Sequence, residues 1–202
     1  LALNVARNNL KNEKACEFHA AGVDDDVLPE GSADFGYSLG VLHHVPNTIK
    51  GIKSCVKMLK PGAPFLIYLY YAFDNRPLWF RILWRLSDGI RFLVSRLPYR
   101  QRYWVCQIIA LVVYLPLARL AKVLEILGLG AAKVDRLPLS AYRCLSFYTM
   151  QTDALDRFGT RLEKRFTRKQ IMDMMELSCL EDIHFSDSLP YWCAVGKRKR
   201  TT

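Results

Sequence analysis

The sequence lacks any C-x-x-C pair: its six cysteines stand singly at 16, 55, 106, 144, 179 and 193. That spacing argues against a zinc ribbon and against a disulfide framework, and scattered core thiols in a reducing cytoplasm are expected. His19 and His184 lie far from the adjacent pair His43-His44, so no metal cluster is expected either. No basic, apolar and small-residue succession opens the chain, so no secretory signal is visible. The longest stretch without a charge, Tyr103–Ala118, is 16 residues and contains Gln107 and Pro116. A bilayer span takes about 20 predominantly apolar residues. A helical insert or an interfacial element is therefore expected there rather than a transmembrane helix. The single G-x-G, Gly128-Leu129-Gly130, follows a helical pattern rather than a strand, so it gives no phosphate-cradling turn. No internal repeat or low-complexity segment is present.

Acidic residues are scarce in one region. Between Arg76 and Lys122 nine basic residues face one acid, Asp88, in a chain of net charge +10. The final Lys197-Arg198-Lys199-Arg200 adds four more positive charges, and a solvated, disordered tail is expected there. An anionic partner fits the 76–122 segment: phospholipid headgroups, an acidic substrate or nucleic acid. A solvated basic face is the plainer alternative.

About half the residues are apolar, enough for one domain or one domain with a subdomain. The chain starts at Leu1 rather than Met, and Leu1–Leu10 already reads as a mid-domain amphipathic helix, so a truncated start is expected. Cys16–Ala21 and Asp34–Val41 read as strands, with an acidic loop from Gly22 to Ser32 between them. Asn47 or Thr48 caps a helix carrying Ile49, Ile52, Val56 and Leu59 on one face, with Lys60 in its last turn, and Pro61-Gly62 ends it. The apolar run Pro64–Tyr71 reads as a strand covered on both faces. Residues 78–127 read as helical, punctuated by Pro98 and Pro116, and 128–145 as loop. A short helix covers Thr152–Phe158, and Thr167-x-x-Gln170 forms a capping box for the next. Strands at Asp182–Ser186 and Tyr191–Gly196 flank a turn at 187–190 short enough to demand an antiparallel pair. Strands alternating with helices argue for a parallel α/β sheet.

Three stretches carry a resemblance. Gly31-Ser-Ala-Asp-Phe-Gly-Tyr-Ser-Leu-Gly-Val-Leu-His-His-Val-Pro-Asn47 resembles the fourth strand and following loop of class I S-adenosylmethionine-dependent methyltransferases of the type 11 kind. Val56-Lys-Met-Leu-Lys-Pro-Gly62 resembles their turn before the fifth strand. Phe166-Thr-Arg-Lys-Gln-Ile…Leu180-Glu-Asp-Ile183 resembles their closing helix and sixth strand. Together these cover roughly half the chain. The resemblance implies an α/β, Rossmann-like class I methyltransferase sheet lacking its first two strands, with an all-helical insert after the fifth strand. The expected divisions are 1–75, a partial methyltransferase core; 76–150, a helical insert or cap; and 151–202, a closing helix and antiparallel hairpin.

It also implies S-adenosylmethionine as cofactor, held by Gly22, Val23 and Asp24 beside the adenine and by Leu39 and Gly40 along the methionyl part. Where the family often has an Asp, this sequence has Gly22, and Asp24 is the candidate to replace it; the alternative is a solvated turn. His44 is a candidate base toward a substrate proton, or else a polar loop residue. Tyr70, Tyr71, Asp74 and Asn75 follow the fifth strand and are expected to face substrate, as an aromatic cage or as packing. The implied activity is methyl transfer to a small, lipophilic molecule, in the cytoplasm or peripheral to the membrane. The chain alone is expected to be inactive without a Gly-rich loop. Nucleic acid is not an expected partner of the enzyme. The competing reading is a membrane- or RNA-associating module built on the basic helical insert. With the first two strands absent, the 34–41 strand would present an unpaired edge. The chain is then expected to be poorly soluble, to self-associate, or to dock Cys16–Ala21 there.

Overall fold

The computed structural model describes residues 2–25, 27–187 and 192–200. The chain divides into two compact units, Leu1–Asp74 with Lys164–Thr202, and Asn75–Glu163. The helix at Phe147–Gly159 thus goes with the helical unit and not with 151–202.

The first unit is a sheet with helices on one face. Strand β1 (Gly36–Leu39) lies parallel to β2 (Pro64–Tyr68), in register Gly36↔Phe65 to Leu39↔Tyr68. β4 (Cys193–Arg198) pairs antiparallel with β2 and with β3 (Leu180–Phe185), giving the order β1-β2-β4-β3. The connection from β1 to β2 is helix α2 (Thr48–Lys57), the crossover a parallel pair requires. Asn47 caps it by accepting from the Lys50 N–H. Helix α8 (Arg168–Glu176) starts at the full Thr167/Gln170 capping box. Ile52 and Val56 of α2 and Ile171, Met174 and Met175 of α8 form one core with Phe65, Ile67 and Leu69.

Several expectations change here. Helix α1 (Ala2–Asn9) forms, but Cys16–Ala21 is no strand. A strand holds only when its backbone groups find a partner, and β1 pairs with β2 alone among the described residues. The predicted docking onto β1 is therefore not seen. β1 is also shorter than 34–41, because Gly40 turns away at φ +71°. Burial in β2 alternates, so the apolar run Pro64–Tyr71 is covered on one face, not two. The basic tail is not loose up to Arg198: its guanidinium pairs with Glu30 and donates to the Lys57 and Leu59 carbonyls. The hairpin turn at Ser188–Tyr191 lies outside the described residues.

The second unit is helical: α3 (Leu78–Val94), α4 (Tyr99–Ile109), α5 (Leu115–Ile126), α6 (Ala131–Val134) and α7 (Phe147–Gly159). α6 and a 3-10 turn at Ser140–Tyr142 replace the loop expected at 128–145. Its core joins Val94, Cys106, Ala110, Tyr114 and Ala118 to Met150, Ala154 and Phe158 of α7. Pro116 does not break the chain as expected. A π turn at Ala110–Tyr114 joins α4 to α5, so a helix of 28 residues runs from Tyr99 to Ile126. Widening to i→i+5 bonds just before a proline absorbs the ring and the missing N–H. An 18-residue window of this helix has mean hydropathy 1.8, so it is long and apolar enough, by length and composition alone, to cross a membrane.

Candidate functional site

The carboxyl ends of β1 and β2 lie side by side and feed two segments, Leu39–His44 and Tyr68–Asp74. Gly40 ends β1 in the left-handed region, its N–H donating to the Tyr68 carbonyl. A side chain there would meet no atom within 4 Å, so the backbone borders open space. Leu39 beside it is half exposed. The chain then dives inward: Leu42 and His43 are fully buried, and Thr48 hydroxyl donates to the Leu42 carbonyl.

Sequence reasoning singled out His44, which is only partly buried. The unusual residue is its neighbour. Neither ring nitrogen of His43 has a hydrogen-bond partner, and the ring stacks on Tyr70 at 3.7 Å. Burial, reinforced by the adjacent His44 and by Arg165, pushes its pKa down to about 3. His43 is therefore a neutral imidazole at physiological pH, able to donate or accept but too weak a base to hold a proton. The sequence marked the pair and could not rank its members, because a one-residue step decides which ring enters the core.

Tyr70 is flanked further by the Arg165 guanidinium, 5.0 Å from its ring centre, and His44 meets it edge-on at 5.9 Å. Tyr71 is nearly buried and packs edge-to-face on Phe73 at 4.5 Å. Backbone bonds fasten this segment to the chain before α8: Phe166 N–H to the Tyr70 carbonyl, Ala72 N–H to the Phe166 carbonyl, and Lys164 N–H to the His43 carbonyl. Asp74 is committed to structure. Its carboxylate accepts from the Arg168 N–H at the start of α8 and from Trp192 Nε1 at 2.7 Å. Asn75 belongs to the helical unit.

The Gly22–Asp25 loop is a tight turn, with the Gly22 N–H donating to the Asp25 carboxylate. Val23 packs into the first unit's core against Gly51 of α2. Asp24 forms an exposed ion pair with Lys50 at 2.7 Å, and that hydrogen bond lowers its pKa. A cavity of about 440 Å³, lined by Val27–Glu30, Lys57 and Met58, sits at the opposite, amino ends of the strands, away from these groups.

The residues present fit one flank of a nucleoside-like molecule. Gly40 leaves a cradle open at the strand ends, and Leu39 lends it an exposed apolar side chain. Residues 1–67 match the methyltransferase domain family. A S-adenosylmethionine-dependent methyltransferase of Methanosarcina mazei superposes with TM-score 0.50 at 12% identity, over 98% of this chain and 77% of that one. A Bacillus halodurans protein assigned as a methyltransferase gives 0.47 at 11% identity, over 91% of this chain. Human N-acetylserotonin methyltransferase, solved with S-adenosylmethionine, gives 0.43 at 14% identity, over 95% of this chain and 37% of that one. The chain spans 52% of the Bacillus halodurans protein's length. Comparison with proteins of curated function returns no match. Residues 1–67 thus resemble the methyltransferase domain family, and the α/β sheet with its parallel β1–β2 pair and antiparallel β4 and β3 has the class I methyltransferase fold.

Proposed function

We propose that the chain contributes to methyl transfer from S-adenosylmethionine to a small, lipophilic molecule at the carboxyl ends of β1 and β2. The observation that supports it is the open backbone at Gly40, where β1 ends beside Tyr68 of β2. The bound cofactor supplies an already activated methyl group, so the protein's task is placement and exclusion of water. Leu39 and Gly40 border the methionyl part, and Val23 the adenine. Asp24 takes that role only by exchanging its bond to Lys50. His44 is the candidate to accept a substrate proton, because His43 is too weakly basic. Tyr70 and Tyr71 bound the substrate side, with Asp74 holding their segment to α8. Asn75 is the remaining candidate substrate contact. A cytoplasmic setting belongs to the same reading and accords with six free cysteines.

The chain has no glycine-rich turn after a strand, so residues 1–202 alone bind the cofactor weakly and turn over poorly. Equilibrium dialysis with labelled S-adenosylmethionine tests this. Gly40→Val should weaken binding about tenfold or more, since its side chain fills the cradle and its φ is disfavoured. Absence of binding at millimolar cofactor to every form of the protein that contains residues 1–202 would overturn the reading. A second reading, a membrane- or RNA-associating module, is favoured by the exposed apolar residues of the helical unit.

A further inference from the structure

Helix α3 exposes a long apolar stripe. Trp79, Ile82, Leu83, Leu86, Ile90 and Leu93 recur at helical spacing and fall on one stripe, yet each is between 46% and 68% exposed. The opposite, inward face is mixed: Phe80, Trp84 and buried Val94 share it with polar residues. Ser87 hydroxyl accepts from Arg157 of α7, and Asp88 pairs with Arg91 at 2.6 Å. Arg91 in turn donates to the Thr160 and Arg161 carbonyls, and the carbonyl of fully buried Ser95 accepts from Arg102 and Arg161. A helix on a water-soluble unit shows the reverse arrangement, with its apolar stripe toward the core.

The 28-residue helix behaves alike. Small residues Cys106, Ala110, Ala118 and Ala121 are buried, whereas Trp104, Ile108, Leu111, Val112, Leu120, Val123 and Ile126 are at least half exposed. Small or mixed residues inside and large apolar side chains outside fit a surrounding that is itself apolar.

The chemistry narrows what that surrounding is. A helix satisfies its own backbone hydrogen bonds, so its bare stripe asks only for an apolar medium. By helical spacing Arg85 falls along one border of the α3 stripe and Arg81 a step further round, and neither forms an ion pair among the described residues; Arg96, past the helix end at Val94, lies over the Phe92 ring and donates to its carbonyl. Residues 76–122 carry nine basic side chains against one acid. RNA fits poorly, because the stripe is mostly aliphatic and holds no cation. Spanning fits poorly too. Helix α7 packs on the long helix and carries Asp153, bonded to Tyr114 at 2.9 Å, and Asp156 and Arg157; crossing would draw these charges into hydrocarbon.

We propose that the helical unit lies on an anionic phospholipid bilayer, with the α3 stripe at the boundary between headgroups and acyl chains and Arg81 and Arg85 at phosphate level. This names the partner in the membrane reading above and does not depend on methyl transfer. Cosedimentation of the 202-residue chain with vesicles of phosphatidylcholine, with and without phosphatidylserine, tests it. Binding should be about tenfold or more tighter to the anionic vesicles and should weaken as salt rises. Leu86→Glu with Ile90→Glu should lower binding to both vesicles about 100-fold, with the thermal melt unchanged, since both side chains point outward. Arg81→Gln with Arg85→Gln should lower binding about tenfold to anionic vesicles and leave neutral ones unaffected. Four outcomes overturn the proposal: no vesicle binding; binding indifferent to the glutamate pair; retention in vesicles after alkaline carbonate, which means spanning; or a dimer in solution that the glutamate pair dissolves, with no lipid binding. Cofactor dialysis on the glutamate variant should match the parent chain, so a failed donor reading and a failed lipid reading give different patterns.

Discussion

Replacing His43 by Phe should make the sheet unit more stable, and most of the gain should appear in acid. The parent residue is fully buried with both ring nitrogens unpartnered. A buried polar group left without a partner costs about 1–3 kcal/mol. Phe keeps the stack on Tyr70 and removes that cost, and its larger ring returns part of it through crowding, about 1 kcal/mol. At pH 7 a net gain of about 1 kcal/mol follows. Protonation adds to this below neutrality. An unfolded histidine titrates near 6.5 and the folded one at about 3. Between those values the unfolded chain binds a proton that the folded one refuses, so stability falls with pH by about 1.4 kcal/mol per unit. The loss begins below about 6.5, reaches about 2 kcal/mol at pH 5, and levels off below about 3. His44 and Arg165, the neighbours that reinforce this, remain in the variant. Urea denaturation at pH 7 and pH 5, followed by circular dichroism, measures both terms. The variant should be ahead by about 1 kcal/mol at the first and about 3 at the second. An unchanged pH slope, or a variant less stable at pH 5, would refute the reasoning.

Other positions give smaller, separable effects. Asp74→Ala removes the acceptor of the Arg168 N–H and of Trp192 Nε1; a loss of about 1 kcal/mol in urea midpoint analysis is expected, with a shifted Trp192 emission. In the helical unit, Ala118→Leu forces a larger side chain into a fully buried site and should cost about 1–3 kcal/mol, while Leu120→Ala, half exposed, should stay within about 0.5 kcal/mol; thermal melts compare the two. Tyr37, 67% exposed on the unpaired side of the sheet, should support concentration-dependent association in sedimentation velocity, and Tyr37→Lys should reduce it.

The sheet unit was legible because its signals are local. Asn47 and the Thr167/Gln170 box each sit where a helix starts, and short-range chemistry fixes them; α2 stops at Lys57, earlier than the expected end at Pro61-Gly62 and before Leu59 and Lys60. The four-residue β1 was overestimated, since nothing in a strand's own residues says how many will find a partner. Cys16–Ala21 shows the same limit more sharply: it reads as a strand in sequence, and pairing decides whether one forms. Pro116 misled in the other direction, because the π turn that accommodates it is built from five unremarkable apolar residues. At the site, the strand ends and His43-His44 were visible as positions. Which imidazole is buried, and that Asp24 and Asp74 are already bonded to Lys50, Arg168 and Trp192, depends on distant segments.

Two surfaces of this chain expose apolar side chains in quantity, and they call for different occupants. Along β1, Phe35, Tyr37, Leu39 and Val41 stand out while the strand's outer backbone groups face no strand among the described residues. Hydrocarbon cannot satisfy an N–H or a carbonyl, so that edge is complemented by another strand and not by lipid. On α3 the backbone is closed by its own i→i+4 bonds and the polar side chains have already turned inward to Arg157, Thr160 and Arg161. Nothing on the stripe needs a directional partner. A protein face would have to match six aliphatic and aromatic side chains in shape; a bilayer surface adapts to them and meets the bordering arginines with phosphate. The polarity of α3 therefore carries the lipid assignment, and the net positive charge of the segment decides which lipids it favours.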